Sequence, residues 1–353
     1  AAAARLVMLI VLASGGMGWL LLLDGSAGGA GAGQSLLGAY LDGDARYTIG
    51  DADGLYRFGN AITTLLIPQR GLLLGFGLAV IVLTLLWRQL DIRMDAAMVT
   101  PAGGAPGAAT GPIATLRAIP GWQRMLAAGL MTGVLPLVHI HSWAVVFGTA
   151  FLLGVAFLQW REGRWRAWLV YVVAGVALSI PTLYWETRGS QASFTSFLGI
   201  QPGWDSGDHS LVVFWAANAG VYIALLVVAY LAHVADRSRS PLGPRLVRYS
   251  AVFVFWFVLA NVLRLAPWIW DNIKVLLFWW LGGAPVVALL LARLWRDGDA
   301  LRRILAGALV VAITLSGLLD IGRAILGPRS FPEWDADGVA FAEQVRDRTP
   351  AGS

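Results

Sequence analysis

Apolar stretches long enough to cross a lipid bilayer recur along this chain, and they constrain its fold more than any other feature. They run approximately over Leu6–Leu23, Gly71–Trp87, Met125–Val138, Trp143–Phe157, Trp168–Trp185, Leu211–Ala232, Ala251–Leu265, Val275–Leu294 and Ile304–Leu319. A hydrocarbon core of roughly 30 Å takes about 20 residues of helix, and lipid offers no partner to an open backbone group, so each stretch must close its own hydrogen bonds as a helix. The third and fourth are short, and Pro136 with the turn His139-Ile-His141 predicts a tight hairpin between them. Composition agrees: 58% of residues are hydrophobic, 13% are charged and mean hydropathy is +0.68, too apolar for a soluble chain of 353 residues. The expected fold is all-α, a polytopic helical membrane protein of about nine transmembrane helices with the start of an extracytoplasmic domain at its C-terminus.

Orientation follows from the connections. Counted in two alternating sets, they divide the 26 basic residues into 16 and 10, and the 21 acids into six and fifteen. The basic-rich set comprises Arg5 and the segments 88–124, 161–166, 237–248 and 293–303, so the positive-inside rule places the N-terminus in the cytoplasm and the C-terminus outside. This division gives a first transmembrane helix over 1–24, an extracytoplasmic loop over 25–70, a helix bundle over 71–322 and the opening of an outer domain over 323–353. In that last segment Val339, Ala340, Phe341 and Val345 have helical spacing between Pro332 and Pro350. On the same outer side, Glu186–Asp208 carries Gln201-Pro-Gly-Trp-Asp205 and is expected to lie along the surface. The chain opens on Ala1 and stops at Ser353 inside that outer segment, and we expect it to be part of a longer protein. A net charge of +5 is explained by topology and not by nucleic acid, because the arginines are spread over short connections. With no cysteine, neither a disulfide framework nor a thiolate metal site is available.

The polar chemistry concentrates near the ends of the apolar runs. Arg264 to Lys274 holds the only lysine among the 26 basic residues, between two long apolar stretches. Pro267 is expected to end the incoming helix, Asp271 to N-cap the outgoing one, and Trp268 and Trp270 to sit at the membrane boundary. Read structurally, this is a stop, an aromatic belt, a cap and a snorkelling lysine. Read chemically, a helix N-terminus with Arg264 and Lys274 beside it is an anion site, where Asp271 or Asn272 would orient a sugar hydroxyl or a basic group. His139 and His141, next to Ser142, can hold a phosphate, shuttle a proton or form hydrogen bonds; being two apart, they share a ligand only if the chain is locally extended. No acid adjoins them in sequence, and no metal is assigned. Arg70, at the mouth of the second stretch, either snorkels or grips a lipid phosphate. The pairs Asp42/Asp44, Asp51/Asp53, Asp297/Asp299 and Asp335/Asp337 read as solvated turns. No triad, Walker loop or dinucleotide fingerprint is present, and no cofactor is expected.

Three segments carry a resemblance: Asn60 with Ile67-Pro-Gln-Arg70-Gly-Leu-Leu-Leu-Gly75, Val134-Leu-Pro-Leu-Val-His139-Ile-His141-Ser142, and Asn261 with Pro267-Trp-Ile-Trp-Asp-Asn-Ile-Lys274. In them the chain resembles the C-terminal half of bacterial GT-C superfamily membrane glycosyltransferases, relatives of the protein O-mannosyltransferases. The resemblance implies a plasma (inner) membrane protein taking a sugar from a polyprenyl-phosphate donor at the outer face. It implies a lipid-linked sugar donor and membrane lipids as partners, and Arg70, His139, His141, Arg264, Asp271, Asn272 and Lys274 as phosphate- or substrate-binding residues. The catalytic carboxylate of such enzymes lies in the first outer loop, here expected upstream of Ala1, so no catalytic residue is assigned within the chain. The other reading is a non-catalytic membrane subunit or scaffold with protein partners in the membrane.

Overall fold

The computed structural model describes residues 2–24, 40, 47–49, 54–90, 120–160, 163–188, 198–235, 242–326 and 335–350. Helices make up nearly all of the regular structure: α1 (Ala2–Leu12), α2 (Leu20–Asp24), α3 (Arg70–Leu90), α4 (Gly121–Val138), α5 (Ile140–Ala156), α6 (Trp165–Thr187), α7 (Leu211–Ala219), α8 (Tyr222–Ala235), α9 (Leu242–Val262), α10 (Ile273–Asp297), α11 (Ala300–Leu326) and α12 (Ala336–Arg348). The strands β1 (Gly199–Ile200) and β2 (Leu263–Arg264) pair antiparallel, Gly199 opposite Arg264 and Ile200 opposite Leu263. The fold is all-α, and among the described residues five helices are long and apolar enough to cross a membrane, or six if α7 and α8 count as one bent span.

α10 is the pillar. In the span that contains it, 78% of the apolar window is buried, against 22% in α6 and 33% in α11. Its sequence explains this, because Leu276, Phe278, Trp280, Gly282, Gly283, Ala284 and Val287 surround the helix axis with apolar or small side chains instead of marking one stripe. Small residues let neighbours close in: a methyl on Gly282 would lie 2.1 Å from Phe253, and one on Gly283 would lie 2.4 Å from the Tyr222 hydroxyl. Above them the Tyr222 and Trp280 rings stack at 3.8 Å, and the Tyr222 hydroxyl donates to the Trp280 carbonyl at 2.7 Å. Ser250 donates to the Gly282 carbonyl at 2.7 Å, close to the turn that Pro285 interrupts. The Trp280 indole reaches across to the Ile10 carbonyl at 2.9 Å and so ties α1 to the pillar.

The expected Leu6–Leu23 and Leu211–Ala232 spans are each broken, which accounts for part of the difference between about nine expected helices and the five or six found. The first ends at Leu12 and resumes at Leu20; the second bends by 84° between α7 and α8, with Gly220 at φ +51°. The two breaks hold each other. The Met17 N–H donates to the Ala217 carbonyl at 2.7 Å, and Gly16 presses so closely that a methyl there would lie 1.9 Å from the same oxygen. Breaks of this kind inside apolar surroundings persist only where other protein groups satisfy the freed backbone. The α4–α5 hairpin forms as expected, although α4 continues past Pro136 to Val138, so His139 and not the proline marks the turn.

α12 falls within the expected outer segment and is capped by Asp335, which accepts the Gly338 N–H at 2.7 Å; none of its side chains is buried. Asp299 caps α11 in the same way through the Arg302 N–H, and Asp297 pairs with exposed Arg296. These two Asp-x-Asp pairs are therefore turns and caps, while Asp42/Asp44 and Asp51/Asp53 lie outside the described residues.

Gly16→Ala is expected to lower stability by about 3 kcal/mol through overpacking at the joined breaks. Gly77→Ala, where a methyl meets nothing within 4 Å, should be neutral or stabilising by up to about 1 kcal/mol. Thermal midpoints of the two detergent-solubilised variants by near-ultraviolet circular dichroism check the contrast.

Candidate functional site

The alternation of α3, α4, α5, α6, α9 and α10 brings the start of α3, the α4–α5 turn and the start of α10 to one end of the bundle. Asp271 lies in a 3-10 turn, Ile269–Asn272, that feeds directly into α10, and Lys274 is the second residue of that helix. Their side chains form an ion pair at 3.0 Å, with 13% of Lys274 and 19% of Asp271 exposed. A lysine in the first turn opposes the helix dipole, and the carboxylate one turn earlier offsets that cost.

His139 and His141 face this pair closely enough for Lys274 to act on both imidazoles. His139 is extended, at φ −162° and ψ 103°, which brings its ring to 5.4 Å from that of His141. This is the local geometry two histidines need to share a ligand when they stand two apart. His139 also caps α5: its Nδ1 accepts the Ser142 N–H at 3.2 Å and lies 2.9 Å from the Ser142 hydroxyl. Acceptance at Nδ1 places the neutral ring's proton on Nε2, which is buried without a protein partner. α3 supports the turn from below, since a methyl on Gly75 would lie 2.7 Å from His139 Cβ and one on Gly71 would lie 2.6 Å from the Val138 carbonyl.

Electrostatics keep both rings neutral near pH 7. Burial pushes His139 down to about 3, with His141 and Lys274 acting in the same direction. Burial likewise lowers His141 to about 4, with Lys274 adding to the effect and Asp271 opposing it. The result is one ammonium, one carboxylate and two neutral imidazoles in a small, largely desolvated space. Such a cluster can hold an anionic oxygen, because the ammonium supplies charge and an imidazole N–H supplies a donor. Among the described residues no three histidines, aspartates or glutamates gather as metal ligands.

Two of the sequence expectations need correction, both at Asn272, while the two arginines are placed by their elements. Asn272 is not a ligand residue: fully buried, it accepts the Leu265 N–H at 2.9 Å and donates to the Ala260 and Leu263 carbonyls at 2.8 and 2.7 Å, which uses both ends of its amide. It also occupies the N-cap position of α10, without a side-chain cap bond, where Asp271 was expected. Arg264 stands in β2 with its guanidinium over Gly199, whose methyl would lie 3.4 Å from it, so its direction is set by the strand pair. Arg70 is exposed at the first position of α3, on the rim beside the His139 turn.

The residues that frame the site also reach partners far away in sequence. Asn60 caps the π-helical turn Ala61–Leu66 and donates to the Leu12 and Ser14 carbonyls at 2.9 and 3.0 Å. Asn218 accepts the Arg57 and Phe58 N–H groups and donates to the Leu55 carbonyl. Trp270 donates to the Arg57 carbonyl at 3.3 Å, and Trp204 to the Ile269 carbonyl at 3.0 Å. Their partners lie 46 to 213 positions away, beyond the reach of any spacing argument.

No protein-family model, curated protein or solved structure matches this chain.

Asp271→Asn is expected to cost about 2 kcal/mol, because it leaves the Lys274 ammonium at the helix N-terminus with no counter-charge. Adding Lys274→Met should recover most of that loss. A double-mutant cycle on thermal stability measures the coupling.

Proposed function

We infer that the protein binds the phosphate of a polyprenyl-phosphate sugar at the outer face of the membrane and acts as a GT-C-type glycosyltransferase or as part of one. The observation that carries this reading is the approach of Lys274 and Asp271 to His139 and His141, from elements more than 130 positions apart, at one end of an apolar bundle. A lipid-linked phosphate arrives at that level with its chain in the bilayer, where Arg70 on the rim can meet it first. In the transfer, the bond between the sugar's anomeric carbon and the phosphate oxygen breaks, the acceptor forms the new bond and loses its proton to a base, and polyprenyl phosphate leaves as the anion. Lys274 would stabilise the charge that develops on that oxygen, the kind of contribution worth about a hundredfold in rate. In this arrangement the loop-rich end is extracytoplasmic, and the shorter apolar helices α1, α4 and α5 complete the set of about nine.

A sugar phosphodiester keeps one negative charge over the whole neutral range, so any pH dependence of its binding belongs to the protein. The anion should raise both imidazoles above the low values that burial and Lys274 give them. The complex then takes up protons, and affinity should rise as pH falls below the raised values and level off towards the unbound values of about 4 and about 3, by at most about tenfold per unit for each proton bound. Binding of a short-chain polyprenyl-phosphate mannose to the full chain in nanodiscs tests this. Lys274→Met should weaken binding about tenfold or more and His139→Gln should flatten the pH profile. Unchanged affinity in Lys274→Met would move the reading to a membrane scaffold, in which the Lys274–Asp271 pair is purely structural. Orientation is checked separately on this cysteine-free chain: an impermeant thiol reagent should label Asp208→Cys in intact cells, and Asp299→Cys only after permeabilisation.

A further inference from the structure

Lys274 stands on α10, whose packing fixes it, whereas its counter-ion Asp271 lies in the short 3-10 turn Ile269–Asn272 that precedes the helix. A turn of four residues has few hydrogen bonds of its own, and the residue that opens this one, Trp268, is 76% exposed. Downstream the turn is fixed by Asn272, whose amide is taken up by Leu265, Ala260 and Leu263. Upstream it is held from two segments remote in the chain. The Trp270 indole donates to the Arg57 carbonyl at 3.3 Å, and the Trp204 indole donates to the Ile269 carbonyl at 3.0 Å.

Those two segments are joined to each other. Arg57 Nε donates to Asp205 Oδ2 at 2.6 Å, and Asp205 directly follows Trp204. The contacts therefore close a ring: from the turn through the Trp270 indole to Arg57, across the ion pair to Asp205, and back through the Trp204 indole to Ile269. Among these links the ion pair joins two charged groups, and charge-assisted bonds are roughly twice as strong as neutral ones. Each segment also has its own footing. The Arg57 N–H donates to Asn218 at 2.6 Å, and the Gln201 and Gly203 N–H groups donate to the Val262 and Asn261 carbonyls at 2.8 and 2.7 Å. Trp204 is held at φ +53°, a backbone conformation few non-glycine residues adopt, with 1% of it exposed and its ring stacked on Trp215. Strain of this kind persists where surrounding packing over-determines it, and here it keeps the indole on Ile269 while Asp205 meets Arg57.

A closed ring resists displacement more than its separate bonds would, because no segment can move without breaking its link to a neighbour. We propose that Arg57 and Asp205 are positioning residues for the Lys274 cluster: their ion pair is the clasp that holds the turn Ile269–Asn272 in place and keeps the Asp271 carboxylate on the Lys274 ammonium. They act through Trp270 and Trp204 and not by touching a ligand. Opening the clasp leaves the core around α10 intact, lets the turn shift and uncovers the ammonium. The inference rests on the phosphate reading only in taking that cluster as a binding site.

Lys274 is the only lysine of the chain, so its own reactivity reports the arrangement. The full chain in nanodiscs is treated with a water-soluble acetylating N-hydroxysuccinimide ester, and modification of the peptide that holds Lys274 is followed by mass spectrometry. In the wild type the lysine side chain is 13% exposed and paired with Asp271, so reaction waits for the turn to open. Asp205→Asn and Arg57→Gln should each raise the rate about fivefold or more, and the double variant should match the single ones, because one clasp opens once. Asp205→Glu, which keeps the charge, should restore a rate within about twofold of wild type. Trp270→Phe, which removes the indole donor and keeps an aromatic ring, should raise the rate through the other side of the ring, while Arg296→Gln, at the exposed pair with Asp297, should not. Rates are compared among variants with wild-type far-ultraviolet circular dichroism. The labelling needs no ligand, so a chain that fails to bind the lipid phosphate refutes that reading and leaves the clasp to be decided here. The clasp is overturned if the folded Arg57 and Asp205 variants label at the wild-type rate, if Asp205→Glu labels as fast as Asp205→Asn, or if the effects of the two single variants multiply in the double one.

Discussion

The structure depends on how backbone groups freed by broken helices find partners away from water. In an apolar bundle an unpaired N–H or C=O costs several kcal/mol, so each interruption must come with its own donors and acceptors. The chain supplies them largely with asparagine, whose amide offers both functions on a short side chain. Asn60 serves the break after α1, Asn218 the segment Leu55–Phe58, Asn261 the Trp215 indole and the turn above it, and Asn272 the passage from α9 into α10. All four lie towards the same end of the bundle, and together they convert an interrupted apolar surface into a rigid mouth.

That division explains what the sequence made legible. Class, helical content and the α4–α5 hairpin follow from apolar period and length, which are local properties. Lys274 stood out because it is the sole lysine, and the two histidines because no other pair lies so close in the chain. Their approach to one another is consistent with those signals, yet no spacing predicts it, since it requires His139 to be extended and the α4–α5 turn to lie against α10. The continuous first and sixth spans were misjudged for a related reason. Hydropathy sums over Gly15, Gly16 and Gly220 without registering that glycine permits a break, and the two breaks form because they meet each other. Asn272 failed as a ligand candidate because proximity to charged residues says nothing about how much of an amide the backbone already uses.

The ion pair of Arg57 and Asp205, at 2.6 Å, shows the same limit from the other side. Arg57 and Asp205 are 148 positions apart, and neither belongs to a motif. What could have pointed there is Gln201-Pro-Gly-Trp-Asp205, where proline, glycine and a large aromatic stand together in a polar connection. A tryptophan that can be buried only by accepting a left-handed backbone is poor local design, and such conflicts between local preference and tertiary packing gather where geometry has to be held.

The identity of the cation at position 274 follows from the same reasoning. An arginine there would carry a planar, five-donor fork into a space already shared by a carboxylate and two imidazoles, and several N–H groups would be left unpaired in a desolvated site. The ammonium is compact and meets Asp271 at 3.0 Å. Arginine serves at the rim, where Arg70 is exposed and water satisfies whatever a ligand does not. Arginine is tolerated in buried places elsewhere, as at Arg124, so it is the small space shared with Asp271 and the two imidazoles that suits the compact cation at position 274.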